Sequence, residues 1–167
     1  MHDPGNICLA CGLCCDGTLI GFVQLEREEL PALRDVLAIE EANGDGFFLQ
    51  PCINYCDGCG IYSQRPKQCG LYKCGLLKSV EQREIEFDSA VETIHAVKQK
   101  KAAIEEKLAL LQLTLQSKSF YFKMVELNTW LQKNKSEPSF MQLHMDLMSD
   151  IKQLDSLLSE RFDAAMF

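Results

Sequence analysis

Nine cysteines, Cys8, Cys11, Cys14, Cys15, Cys52, Cys56, Cys59, Cys69 and Cys74, all fall within the first 74 of 167 residues, and none follows. A segment so rich in thiols must cross-link them, bury them as small apolar groups or bind metal with them. The odd count argues against a disulfide framework, as does the lack of a basic start followed by an apolar run, the mark of a secretory signal. The expected compartment is therefore the cytoplasm, where thiols stay reduced. Burial alone accounts for isolated cysteines but not for recurring CxxC steps. Metal ligation is the reading that remains.

Charge narrows the partners. Twenty-four acidic residues against 17 basic ones give a formal charge of −7, the wrong sign for a phosphate backbone. Zinc held by four cysteinates would add a net charge of about −2, so a metallated form is more acidic still. No nucleic acid is expected. Leu108 to Leu115 is short and interrupted by Gln112 and Thr114, so no membrane span is expected either.

Three cysteine groups carry the chemistry. In Cys8-Leu-Ala-Cys11-Gly-Leu-Cys14-Cys15, two-residue gaps let the thiolates of a tight turn converge on one ion, and Gly12 supplies the backbone freedom such a turn needs. Adjacent Cys14 and Cys15 cannot easily point the same way, so one of them is a candidate for a second site or a metal bridge. The CxxCxxC portion has the spacing by which ferredoxin-type proteins hold iron–sulfur clusters, with a distant cysteine as fourth ligand. The second group is Cys52-Ile-Asn-Tyr-Cys56-Asp-Gly-Cys59, and the third is Cys69-Gly-Leu-Tyr-Lys-Cys74. Arg65, Lys67 and Lys73 are candidates to neutralise thiolates or to donate hydrogen bonds to sulfur. Because no one group supplies four well-spaced ligands, the first group is expected to meet the other two in space.

Cys11-Gly-Leu-Cys14-Cys15, Pro51-Cys52 and the run Cys59-Gly-Ile61-Tyr62-Ser-Gln-Arg65-Pro66-Lys-Gln-Cys69 together resemble the YkgJ-like cysteine-cluster family, described as a zinc- or iron-chelating domain. The resemblance spans roughly residues 8 to 76. It implies metal chelation by Cys11, Cys14, Cys15, Cys52, Cys59 and Cys69. Cys8, Cys56 and Cys74 lie outside that shared pattern and are candidate ligands on their own spacing.

Cysteine-only sites suit zinc and iron–sulfur clusters almost equally. Zn2+ is preferred, with a 4Fe-4S cluster or mononuclear iron as alternatives. Two closed four-cysteine zinc sites would leave one cysteine over; bridging thiolates could hold three ions; one cluster beside a zinc site is a third arrangement. His2, His95 and His144 read as surface or helical residues, and Asp57 as a turn residue beside Gly58. No P-loop, dinucleotide fingerprint or Ser/His/Asp pattern is present.

Residues 79–167 contain no glycine, which divides the chain into a cysteine-cluster metal-binding domain at 1–78 and a helical region at 79–167. The fold class expected is mainly α with irregular metal-stabilised loops, the metal module followed by a helical hairpin or three-helix bundle. Within the first part, Leu25 to Ala42 reads as a helix ended by Asn43-Gly44, and Phe47 to Leu49 as a candidate strand. In the second, Val91, Ile94, Val97, Ile104, Leu108, Leu111 and Leu115 form the stripe of a long amphipathic helix, with Lys101 standing where an apolar residue belongs. Phe120 to Leu131 is a shorter helix. A last helix, capped at Ser136 with Pro138 in its first turn, carries Phe140, Leu143, Leu147, Ile151, Leu154, Leu158 and Phe162. The function expected is a structural or interaction module, with a protein partner or self-association through the helical region. The alternatives are an iron–sulfur redox protein or enzyme component, and a metal carrier or sensor.

Overall fold

The computed structural model describes residues 7–134 and 141–167, and among these the fold is mainly α. Its largest part follows from three apolar stripes. Helix α5 (Phe87–Leu110) buries Ala90, Ile94, Val97, Ile104 and Leu108, residues three or four apart that fall on one face. Helix α6 (Phe120–Lys133) buries Phe120, Met124 and Leu127, and Ser119 caps it by accepting a hydrogen bond from the Phe122 N–H. Helix α7 (Met141–Phe162) packs along α5 and buries Leu147, Ile151, Leu154, Leu158 and Phe162. The cap expected at Ser136, with Pro138 and Phe140, lies outside the described residues, as does the Leu143 side chain.

The stripe expected to run to Leu115 stops sooner. Gln112 adopts φ 53°, its N–H donates to the Ala109 carbonyl, and the Leu113 N–H reaches back to Leu108, which is a Schellman closure. Leu111 and Leu115 still rest against the core, but from the loop that follows. Glycine, the usual mark of such a stop, is absent here.

The expected helix over Leu25 to Ala42 is not formed. That stretch divides into the end of strand β1 (Phe22–Leu25), a single turn α2 (Leu30–Leu33) with Pro31 in its first turn, and strand β2 (Glu40–Ala42). The cause is the chemistry of Asn43-Gly44. Both residues have positive φ, 55° and 83°, and they join β2 to β3 (Asp45–Leu49) with Ala42 opposite Asp45, the two-residue turn that suits a hairpin. The sequence signal was a hairpin, not a helix end. Strand β3 includes the Phe47 to Leu49 run and is central in an antiparallel sheet of order β1-β3-β2, with Val23 opposite Phe48. Val23, Leu25 and Phe48 bury one face of this sheet against Leu30, Leu33 and Leu37.

Two apolar clusters result. The small one lies under the sheet. The large one joins Ile7, Leu13 and Leu19 of the cysteine-rich segment to Leu76, Leu77, Val80 and the three long helices, so it crosses the compositional boundary at residue 78. The short helix α1 (Ile7–Cys11) packs on α5. A 3-10 turn (Tyr62–Gln64) and α3 (Lys67–Leu71) follow the sheet, and α4 (Gly75–Glu81) places Leu76, Leu77 and Val80 in the large cluster.

Ile94→Ala in α5, a nearly fully buried site, is expected to cost about 2–5 kcal/mol in chemical denaturation. Because the core is shared, hydrogen exchange should show lost amide protection in residues 7–19 as well as in α5 and α7. Protection of 7–19 that survives unchanged would contradict a shared core.

Candidate metal centre

The first cysteine turn is shaped by close approach. Gly12 has φ 69°, and a Cβ there would lie 2.5 Å from the Tyr55 ring, so this position requires glycine both for backbone conformation and for space. Leu13 is fully buried, and its carbonyl accepts the N–H groups of both Thr18 and Leu19 at 3.0 Å. The segment thus has an anchored root. The Cys52 N–H donates to the Cys15 carbonyl at 2.8 Å, which ties the second cysteine group to the first. Asp57 (φ 55°) and Gly58 make the turn that brings Tyr55 opposite Cys59, as their sequence suggested. Cys69 lies on α3, and Cys74 precedes α4 as its N-cap.

Eight of the nine cysteines line a single cavity of about 460 Å³; Cys56 is exposed and stands outside it. The cavity lies between the two apolar clusters, and the cysteines divide between its walls. Cys11, Cys14 and Cys74 pack against the large helical cluster, and Cys52 and Cys69 against the sheet cluster.

Electrostatics draws the same division. Burial pushes the Cys11 thiol up to about 12, with Cys74 and Cys8 adding to the shift, and raises Cys14 well above the usual range with Cys11 and Cys74 as its chief neighbours. Burial also brings Cys15 to about 12, but its neighbours are Cys59, Cys52 and Cys69. Cys69, pushed up to about 11 by burial, feels Cys52 and Cys59. Cys8 is raised by burial and then by Cys74. Two sets therefore emerge, Cys8, Cys11, Cys14 and Cys74 on one side and Cys15, Cys52, Cys59 and Cys69 on the other. The Cys14–Cys15 peptide bond joins them, and Cys14 also feels Cys15 across it.

Several groups favour thiolate against this desolvation. The backbone N–H of Leu13 acts on Cys11, that of Asn54 on Cys52, and those of Leu77 and Leu76, at the start of α4, on Cys74. Arg65 stacks over the Tyr62 ring at 3.9 Å and holds down the thiols of Cys8 and Cys69, one from each set. Lys67 and Lys73, candidates for the same role, pair instead with Glu26 at 2.5 Å and Glu81 at 2.8 Å. Lys98, on α5, acts on Cys11. Its position in a helix beyond the last cysteine gave no hint of this.

Among the described residues, no three His, Cys, Asp or Glu side chains meet closely enough as they stand to share one ion. The thiols ring the cavity, and a closed shell requires them to turn inward from its walls. The donor chemistry fits a soft metal: eight sulfurs, nearby N–H groups and a cation, with no imidazole on the lining.

These features are those of a cysteine-rich domain whose donor chemistry suits a metal. A family model described as "CxxCxxCC: Putative zinc- or iron-chelating domain" matches residues 7–99, and the chain belongs to that family. The match runs into α5, in keeping with the packing of α1 on that helix. Neither the curated proteins nor the solved structures contain a match to the chain. Among the described residues, no helix is long and apolar enough to cross a membrane.

A pH dependence follows for the metal-free chain. Folded thiols titrating near 11 to 12, against about 9 when unfolded, keep their protons after the unfolded chain has lost its own. This contribution to stability is fully present below about pH 9 and is lost as pH rises toward the folded values. Urea denaturation of chelator-treated protein should therefore give a lower midpoint at pH 10 than at pH 8. An equal or higher midpoint at pH 10 would contradict the burial of these thiols.

Proposed function

We propose that the chain holds two metal ions, one in each four-cysteine set, and that these closed sites serve a structural role. The observation that carries this reading is the division of eight cavity-lining cysteines into two sets of four, with Cys56 left over. Four thiolates close a tetrahedral shell around zinc and leave no position for substrate, the character of a structural site. Binding would displace a proton from each buried thiol, so affinity should rise with pH. Zinc is the preferred ion, and a reducing cytoplasm the compartment in which nine free thiols persist.

What such a module would present is a surface. Ions bound between the helical and sheet clusters would fix one against the other, leaving the outer faces of α5 to α7 for a protein partner or a second copy. One observation favours a second reading for the first set alone. Cys8, Cys11 and Cys14 with the distant Cys74 have the ferredoxin-like spacing, which suits a four-iron cluster and a redox role.

Elemental analysis of protein purified without oxygen decides among these. Two zinc ions per chain in a colourless protein is the expected result; iron with acid-labile sulfide and visible absorption supports the second reading. Cys59→Ser and Cys74→Ser should each lose one ion, whereas Cys56→Ser should keep both. Loss of metal from Cys56→Ser, or full metal content in either of the other two variants, would overturn the assignment.

A further inference from the structure

Lys101 interrupts the apolar face of α5, one turn beyond Val97 and just before Ile104, where the spacing of the stripe calls for an apolar residue. Its Nζ lies 3.0 Å from Asp16 Oδ2, and both side chains are largely enclosed, 16% and 12% exposed. The ammonium also stands 5.4 Å from the Phe120 ring centroid. Such a pair is retained at a desolvation penalty, and breaking it by removing one partner leaves an uncompensated charge.

Asp16 directly follows Cys15. Its other oxygen, Oδ1, accepts the Thr18 N–H at 2.9 Å, while the next residue, Gly17, accepts the Tyr121 N–H at 2.8 Å. The peptide carrying Cys14 and Cys15 is thus clamped from outside the cysteine-rich segment, by α5 through Lys101 and by the start of α6 through Tyr121. We propose that Lys101 is a positioning residue for the metal centre, its ammonium fixing Asp16 and thereby the Cys14–Cys15 step from which the two sites diverge. Lys101 also keeps Asp16 from standing as a bare like charge beside the Cys15 thiolate. It lies beyond the residues matched by the family model, so the role belongs to this chain's own helical region. The inference rests on the metal-binding reading above.

The test is Zn2+ affinity of the full chain, measured by competition with a chromophoric chelator, together with the sulfur-to-metal charge-transfer spectrum after Co2+ loading. Lys101→Met, which keeps the stem and packs well, is expected to weaken Zn2+ binding about tenfold and to alter the Co2+ spectrum while far-UV helicity stays at the wild-type level. Lys101→Arg should restore most of the affinity. Asp16→Asn combined with Lys101→Met should lose less than the sum of the two single losses, because each removes the same interaction. Lys101→Met with wild-type affinity and spectrum, or strict additivity in the double variant, would overturn the proposal. If Lys101→Met does not fold, amine labelling of the wild-type chain gives the answer: Zn2+ should slow modification of Lys101 severalfold and leave exposed Lys133 unchanged, and equal slowing or none at Lys101 refutes it. Failure of the wild-type chain to bind either ion would sink the metal reading itself and this inference with it.

Discussion

The arrangement turns on one peptide bond. Neighbouring side chains in extended or turn backbone diverge, so Cys14 and Cys15 have different chief neighbours: Cys14 the thiols of Cys11 and Cys74, ahead of Cys15 itself, and Cys15 those of Cys59, Cys52 and Cys69. One of these walls belongs to the helical core and the other to the sheet cluster. The chain on either side of this step is correspondingly fixed. Gly12 fits beneath Tyr55, Leu13 anchors the turn in the large core, the Cys15 carbonyl holds Cys52, and Gly17 holds α6.

Desolvation explains why such a site needs more than thiols. Burial, with neighbouring thiols adding to it, drives Cys11 and Cys15 to about 12, so without a cation the sulfurs stay protonated and neutral at ordinary pH. A cation in the cavity reverses that preference, since thiolates favour the metal and the metal favours thiolates. Backbone N–H groups from Leu13, Asn54, Leu76 and Leu77, with the Arg65 guanidinium, supply further positive potential. Arg65 acts on a cysteine of each set, and its stacking on Tyr62 fixes where that charge stands.

Much of this was legible in the chain itself. The cysteine spacing pointed to the metal-chelating family to which the chain belongs, and the adjacent cysteines called for divergence. The apolar stripes gave α5, α6 and α7 because a period near 3.6 leaves little alternative over several turns. The stretch from Leu25 to Ala42 misled for a definite reason: Leu30, Leu33 and Leu37 keep helical spacing, yet the Asn43-Gly44 turn commits the following strand to pair backwards with β2. Local periodicity yielded to turn chemistry. The end of α5 was hidden because Gln112, rather than glycine, takes the left-handed position. Lys101 was visible as an anomaly in its stripe, but its partner, 85 residues earlier, could be found only from the fold.

Crystals of the metal-loaded chain, with anomalous-difference density recorded at the metal's absorption edge, test the central claim most directly. Two separate metal positions are predicted, one reached by Cys14 with Cys8, Cys11 and Cys74, the other by Cys15 with Cys52, Cys59 and Cys69. A single position, one ion held by Cys14 and Cys15 together, or an ion ligated by Cys56 would contradict it.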